Sequence, residues 1–482
     1  MELVQFINQI LWGQGQLLIF LLIAAGLWFT WQFRAIQFSG FAHMLALLKV
    51  SVKSDKSEIS SFQALCTGLS ARVGTGNLAG VAVAVSLGGP GAVFWMWVIA
   101  LLGMATGFAE SVLGQVYKVR DSNGEFRGGP AYYIRLGLNK PWLAALFSVC
   151  LFLGYGSSFS AMQANTISDA MSHAFAIPPM YTGIVVTLVA GSIILGGMRR
   201  IARFAEMIVP VMGIVFISTA IVITVINFSM LADVFTAIVR SAFGLEEAGA
   251  GAFAAAIKNG VQRGLYSNEA GAGSVPHAAA CATPNPNHPV TQGYLQMFGV
   301  FFDTIVLCSC TAMIILLAGN GDSGEMEGIR LTQNAMSAHL GEFGVAYVAL
   351  ILFLFAFSSV VANYAYAESN LHFFHLDNRV GRSIYTMLYL VMVLWGANAT
   401  LKDVWDLADM ALGLMTLVNI YAIVLLTPTI KAALQDYRIQ RSTGKSPSFV
   451  NTNVAVQGRL AQHVWHTAGS DTAQVKLTDT LK

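Results

Sequence analysis

The chain has 482 residues, 55% of them hydrophobic and only 11% charged, with a net charge of +2 and a mean hydropathy of +0.62. A soluble globular chain carries roughly 25% charged residues, so the composition excludes an ordinary soluble domain and points to an integral membrane protein. The net charge itself says little, and no nucleic-acid partner is expected.

A membrane span needs about 20 mainly apolar residues. In chain order, such runs fall at 15–37, 62–86, 92–117, 142–171, 180–197, 205–228, 249–275, 292–318, 343–369, 383–399 and 407–429. This predicts an all-α polytopic protein with eleven transmembrane helices in the lipid bilayer. The N-terminus lacks a basic leader, and Trp31-Gln32-Phe33-Arg34 follows the first run where a cleaved signal would carry small residues. The division expected is an extra helix and loop over 1–60, a transporter core over 61–430 and a polar tail over 431–482. Within the tail, 450–464 has apolar residues enough for a short surface helix.

Two spans are weak by hydropathy and rich in Gly with polar residues. Residues 67–77 read Thr-Gly-Leu-Ser-Ala-Arg-Val-Gly-Thr-Gly-Asn, and 264–274 read Gly-Leu-Tyr-Ser-Asn-Glu-Ala-Gly-Ala-Gly-Ser. In lipid, an unpaired backbone N–H or C=O costs several kcal/mol. Non-helical backbone is therefore tolerated there only around a buried cavity or ligand. A matched pair of breaks in the two halves of a chain points to a substrate and ion site in a secondary transporter.

Lys and Arg orient the chain. One side collects 21 of the 27, the other holds Arg240, Arg330 and Lys402, and Arg72, Lys258 and Arg263 fall within spans. The bias alternates across the eleven spans and places the N-terminus outside and the C-terminus in the cytoplasm of a cell with this protein in its (inner) membrane. One leading span and two blocks of five, each opening on a broken span, make an inverted repeat.

Other signals are weaker. Cys66, Cys150, Cys281, Cys308 and Cys310 read as small packing residues. The pairs His372/His375 and His463/His466 lack a third ligand in sequence, so no metal centre is expected from them. No phosphate-binding loop, no Ser nucleophile motif and no zinc protease motif occurs, so ATP drive and hydrolysis are unsupported and no enzyme is expected. Charged residues inside spans default to functional candidates; these are Arg72, Glu110, Glu206, Lys258, Arg263, Glu269, Asp303 and Glu368. Arg72 and Glu269, one in each break, are read either as a buried gating pair or as ties for unwound backbone.

Residues 88–103, Gly-Gly-Pro-Gly-Ala-Val-Phe-Trp-Met-Trp-Val-Ile-Ala-Leu-Leu-Gly, resemble the signature of the alanine or glycine:cation symporters, the sodium:alanine carrier family. Residues 74–80, 128–133 and 266–271 are similar to that family too. The resemblance covers about 15–430, with the motifs in order, and leaves out the tail. It implies ten core helices in a five-plus-five inverted repeat of the neurotransmitter:sodium symporter type. It also implies sodium-driven uptake of alanine, glycine or similar small neutral amino acids by alternating access.

An amino acid zwitterion carries a carboxylate and an ammonium. A broken helix offers free N–H groups at one half-helix end and free C=O groups at the other. The N–H groups around Thr75, Gly76 and Asn77 are expected to meet the carboxylate, and carbonyls near Tyr266 and Ser267 the ammonium. Tight helix packing is the alternative use of these glycines. The resemblance puts Gln163 beside the ligand, although an interhelical hydrogen bond would equally occupy it; Asn165, two residues on, faces elsewhere. Ser358-Ser359 is a hydroxyl pair deep in a span. In the wider fold such a pair faces carbonyls of the first broken helix, which implies a sodium site from Ser70, Val73, Phe355, Ser358 and Ser359. The alternative is back-bonding of both serines to their own helix. Sodium is thus the coupling ion implied, and no organic cofactor is expected. Asn77 serves a second sodium or the substrate. A proton-coupled amino acid symporter, with Glu269 or Asp303 carrying the proton, is the alternative function. A channel or receptor on the same scaffold is a further one.

Overall fold

The computed structural model describes residues 1–13, 16–52, 58–245, 249–319, 328–462 and 464–465. The chain is mostly helical, with one two-residue antiparallel hairpin among the described residues, Val119–Arg120 against Phe126–Arg127. Among the described residues, seven helices are long and apolar enough to cross a membrane: Gly91–Val116, Pro141–Phe175, Gly197–Ile226, Pro289–Leu317, Glu342–Glu368, Arg379–Asn398 and Leu401–Leu425. Shorter apolar helices, including Leu17–Gln32, Gly76–Gly88 and Pro179–Ile194, stand where further spans are expected.

Proline and glycine set many of these boundaries. Pro141, Pro179 and Pro289 each open a helix, where a missing N–H costs nothing. Ser60 caps the helix Ser61–Arg72 by accepting the Gln63 amide at 2.9 Å, and the Gln63 side chain accepts the Ser60 amide at 3.0 Å. This reciprocal pair satisfies two of the donors that a helix start leaves free. Two of the long helices carry π-helical stretches, Gly154–Ser158 and Phe301–Cys308. In the first, the Ser158 hydroxyl donates to the Leu153 carbonyl at 2.7 Å. Such a side-chain donor offers the backbone an alternative to its helical partner.

Both expected breaks are present, with one shift. The first leaves residues 73–74 out of helix between Ser61–Arg72 and the π-helical turn Gly76–Gly80, with Thr75 already helical. The second leaves residues 269–274 between Gly249–Asn268 and Val275–Cys281. The sequence places that break near the middle of 249–275, but it falls at its end, and helix continues where a loop is expected. The cause is local. Glu269 takes a φ of 56°, Gly271 a φ of 95° and Gly273 a φ of 81°. Glycine adopts such values without steric cost. Pro276 then sits in the first turn of the next helix.

Close approach explains how the second broken helix packs. A Cβ at Gly260 would lie 2.5 Å from the Ala92 carbonyl oxygen, so the helix Gly249–Asn268 lies directly against Gly91–Val116. Small residues at a helix interface permit this. Beyond Val116 the hairpin is held by Arg127, which is buried and paired with Asp121 at 3.0 Å, Glu125 at 3.1 Å and Glu368 at 3.0 Å.

The tail departs from expectation. The helix Thr427–Ser442 runs into it, and residues beyond fold back on the bundle instead of extending. Phe449 and Trp465 are both buried. No helix forms over the described part of 450–464. Gly458 takes a φ of 71°. A Cβ there would collide with the Leu136 carbonyl oxygen, so the chain turns at that point on a residue without one. His463 and His466 lie outside the described residues. His372 of the other histidine pair is hydrogen-bonded to the Asp377 carboxylate at 2.9 Å.

Candidate functional site

The two breaks meet at the centre of the bundle. A Cβ on Gly76 would lie 3.4 Å from both the Tyr266 carbonyl oxygen and the Ser267 Cα. Thr75, Asn77, Gln163, Tyr266 and Ser267 are all buried.

At the first break the Thr75 amide and hydroxyl both donate to Gln163 Oε1, at 2.9 Å and 2.7 Å. The Asn77 amide donates to the Gly74 carbonyl at 3.2 Å, and the Gly74 amide to Asn77 Oδ1 at 3.0 Å. Of the three N–H groups expected to face a carboxylate, those of Thr75 and Asn77 thus have acceptors within the protein. Gln163 therefore reaches the break itself. Asn165 turns away and donates to the Gly396 and Ala399 carbonyls at 2.9 Å and 2.7 Å.

At the second break the carbonyls of Tyr266 and Ser267 lose the amides that a continuing helix would supply. The Ala270 amide donates to Asn268 Oδ1 at 3.0 Å, and the Gly271 amide to Glu110 Oε1 at 3.3 Å. Glu110 also accepts the Gly273 amide at 3.2 Å and the Asn419 side chain at 2.8 Å. This buried carboxylate thus satisfies the backbone that positive φ values leave unpaired. Tyr266 is sandwiched by Phe159 and Trp405, with ring centroids 5.3 Å and 5.1 Å away, and its hydroxyl donates to Met162 Sδ at 2.8 Å. Above Trp405, Arg263 lies 4.4 Å over the indole and pairs with Asp409 at 3.4 Å.

Arg72 and Glu269 do not pair. Arg72 donates to the Gln296 carbonyl at 3.3 Å, while Glu269 accepts the Ser274 hydroxyl at 2.6 Å across the second break. The gating pair does not form; Glu269 ties the second break through Ser274, whereas Arg72 bonds the regular helix Pro289–Val300.

The five candidate ion ligands come together. Ser359 Oγ lies 2.9 Å from the Ser70 carbonyl oxygen, 3.2 Å from that of Val73 and 3.2 Å from that of Phe355. Ser358 Oγ lies 2.9 Å from the Phe355 carbonyl and 3.4 Å from that of Ser70. Back-bonding and cross-helix facing therefore both occur, because the hydroxyls reach Phe355 one turn back and the broken helix at once. A Cβ at Gly74 would lie 2.5 Å from Ser359 Oγ, so only glycine lets the break approach this closely. Three carbonyls and two hydroxyls, all uncharged, make a donor set for a hard monovalent cation.

Asp303 shows in sequence as a charge in a span, but its position beside the substrate set cannot be read from spacing. Its Oδ1 accepts the Asn77 side-chain amide at 2.8 Å, and its Oδ2 accepts the hydroxyls of Ser267 and, at 3.0 Å, Thr304. The π-helical stretch Phe301–Cys308 aims both Asp303 and Cys308 at Asn77, the latter at 3.4 Å. Stretches of this kind inside helices are frequent at functional sites. Trp405, Met162 and Asp409 are not among the sequence candidates. An aromatic or Met in an apolar run gives no signal, whereas Asp409 inside a span carries one.

A polytopic helical protein in which two helix breaks meet at a buried site has the build of a solute transporter. The chain belongs to the sodium:alanine symporter family, whose profile matches residues 1–451. It is 46% identical over 449 residues to the "Uncharacterized transporter YaaJ" of Escherichia coli, covering 92% of this chain and 94% of that one. It is 44% identical to the "Probable sodium/glutamine symporter GlnT" of Bacillus subtilis, covering 93% of each. It is 37% identical to the "Sodium/alanine symporter AgcS" of Methanococcus maripaludis, covering 88% of this chain and 94% of that one.

Proposed function

We propose that this chain takes up small neutral amino acids, alanine and glycine, across the cell membrane by coupling them to sodium. The observation that carries this is the close approach of Gly76 in the first break to the Tyr266 and Ser267 backbone in the second, where the amides of Ala270 and Gly271 are drawn to other acceptors. A carboxylate lies at the Gly76 amide, with Thr75 and Asn77 at its sides and Gln163 bridging to it. The ammonium lies at the second break. Tyr266, Met162 and Phe159, which touch one another, wall the substrate side chain and favour alanine and glycine over larger residues.

Sodium binds between Ser70, Val73, Phe355, Ser358 and Ser359. An ion there joins the first broken helix to the helix Glu342–Glu368, so it stabilises the arrangement that also forms the substrate site. Ion and substrate then favour one conformation, and their coupling is reciprocal. Alternating access moves this site between the two sides of the membrane. We assign eleven spans, ten of them in two inverted blocks of five, with the N-terminus outside and the C-terminus in the cytoplasm.

Asp303 favours a second reading, in which a proton drives uptake. Its buried carboxylate touches Asn77 and Ser267, so its charge state would be felt at the substrate. Uptake of labelled alanine into vesicles at a fixed pH gradient, without sodium, separates the two. Sodium coupling predicts no accumulation; accumulation driven by the pH gradient alone would replace it with the proton reading.

A further inference from the structure

The segment after the last long helix turns back and is fastened at both of its ends. Near residue 449 the Phe449 amide donates to the Asn287 carbonyl at 2.9 Å, and the ring packs edge-on to His288 at 5.4 Å between centroids. In the middle, the Gln457 amide donates to Thr429 Oγ1 at 3.0 Å, and the Gln457 carbonyl accepts the Tyr117 hydroxyl at 2.7 Å. The Arg459 amide donates to the Leu136 carbonyl at 2.9 Å. At the far end the Trp465 indole donates to the Val116 carbonyl at 3.3 Å and lies against Phe449, with centroids 5.1 Å apart. Trp465 also carries the Lys118 ammonium 4.6 Å above its ring, and Lys118 donates to the Ala282 carbonyl at 2.9 Å. A cation over an indole face is attracted by the ring quadrupole.

These contacts share a pattern. Val116, Tyr117 and Lys118 end the helix Gly91–Val116, and Leu136 belongs to the short helix Pro130–Gly137, all in the first half of the chain. Asn287 and His288 precede the helix Pro289–Val300, Ala282 follows the second broken helix, and Thr429 lies in the first turn of the last helix, all in the second half. A polar loop with no task would not bury Phe449 and Trp465 or fasten its amides to both halves.

We propose that residues 446–462 with Trp465 form a strap that holds this end of the bundle shut, so that its release is a step in opening the site to that side. The proposal rests on the alternating-access reading, because only a protein that opens at this end needs the two halves released from one another. The chain Trp465–Lys118–Ala282 links the strap to the end of Gly91–Val116 and to the residue after Val275–Cys281, so freeing the strap loosens the packing around Cys281.

Cys281 is a native reporter, since it is buried at the end of Val275–Cys281, one residue before the Lys118 contact. The full chain is purified in detergent with sodium and alanine, treated with a hydrophilic maleimide, and Cys281 labelling is followed by peptide mapping. In F449A and W465A, labelling of Cys281 should be several-fold faster than in the unaltered chain. A T429C/Q457C variant, oxidised to tie the strap down, should label Cys281 more slowly, and reductant should restore the rate. The second arm guards against simple loss of packing in the first, because it changes the rate in the opposite direction. Equal Cys281 labelling in the oxidised and reduced double variant would overturn the strap, as would an unchanged rate in both F449A and W465A. Alanine uptake by the unaltered chain in vesicles tests the transport reading separately. Absent uptake with strap-dependent labelling would sink transport and leave the strap standing.

Discussion

The Ser359 hydroxyl and the Ser70 carbonyl lie 2.9 Å apart although 289 residues separate them in sequence. This contact joins the unwound part of the first broken helix to the middle of the helix Glu342–Glu368. It exists because Arg72 ends a helix and leaves the carbonyls of Ser70 and Val73 without helical partners. A cation placed there would take oxygens from both elements.

Ser358→Ala and Ser359→Ala each remove one hydroxyl from that set. A hydrogen bond or ligand to a charged group is worth about 1.5–3 kcal/mol, so the sodium concentration for half-maximal alanine uptake should rise roughly ten-fold or more. Apparent alanine affinity should fall with it. Membrane insertion should change little, because Ser and Ala differ little in helix propensity. Sodium titrations of uptake check this, and an unaltered curve in both single variants and the double variant would move the ion elsewhere.

Side-chain size should decide which amino acids compete. Tyr266 is held by Phe159, Trp405 and Met162, and on the proposed reading a longer substrate side chain meets this wall. Overpacking costs about 1–3 kcal/mol, which corresponds to leucine and phenylalanine inhibiting labelled alanine uptake roughly ten-fold less well than glycine. If leucine competes as well as glycine, these walls do not set specificity.

The pattern of breaks is legible in the sequence because glycine and small polar residues in an apolar run have few structural uses in lipid. The meeting of Ser358-Ser359 with the Ser70 and Val73 carbonyls is legible only through the resemblance, since no local spacing could find it. The exact limits of the second break are not, since Glu269 holds a positive φ that its residue type does not announce. Asp303 is visible as a charge but not as the neighbour of Asn77, because a π-helical stretch alters the facing that a regular helix would give. The tail misleads for a similar reason. Its composition is polar, yet Phe449 and Trp465 anchor it, and two aromatics in a polar stretch carry no periodic signal.

Asp303→Asn keeps a carbonyl for the Asn77 side chain but removes the charge and one acceptor for the Ser267 hydroxyl. Hydrogen bonds to a charged group are worth about 1.5–3 kcal/mol, so uptake should drop by roughly ten-fold to a hundred-fold, with Ser267→Ala milder. Measured against external pH, the residual uptake of Asp303→Asn should keep its sodium dependence. Loss of a pH response that the unaltered chain shows would instead mark Asp303 as a proton carrier.

Glu110→Gln should act through backbone geometry. The carboxylate accepts the Gly271 and Gly273 amides and the Asn419 side chain. An amide in its place retains only one acceptor oxygen for them. Alanine uptake should fall about ten-fold or more through a lower maximal rate and weaker binding together, since an unsatisfied buried group costs about 1–3 kcal/mol. Uptake kinetics at saturating sodium test this, and unchanged kinetics would mean that the second break does not depend on Glu110.

The account stands most directly on one measurement, uptake of labelled alanine into vesicles containing the purified chain, with and without an inward sodium gradient. It predicts concentrative uptake only with the gradient, collapse of that uptake when the sodium gradient is dissipated, and saturation with alanine. Uptake of equal size and rate in sodium-free medium would contradict it.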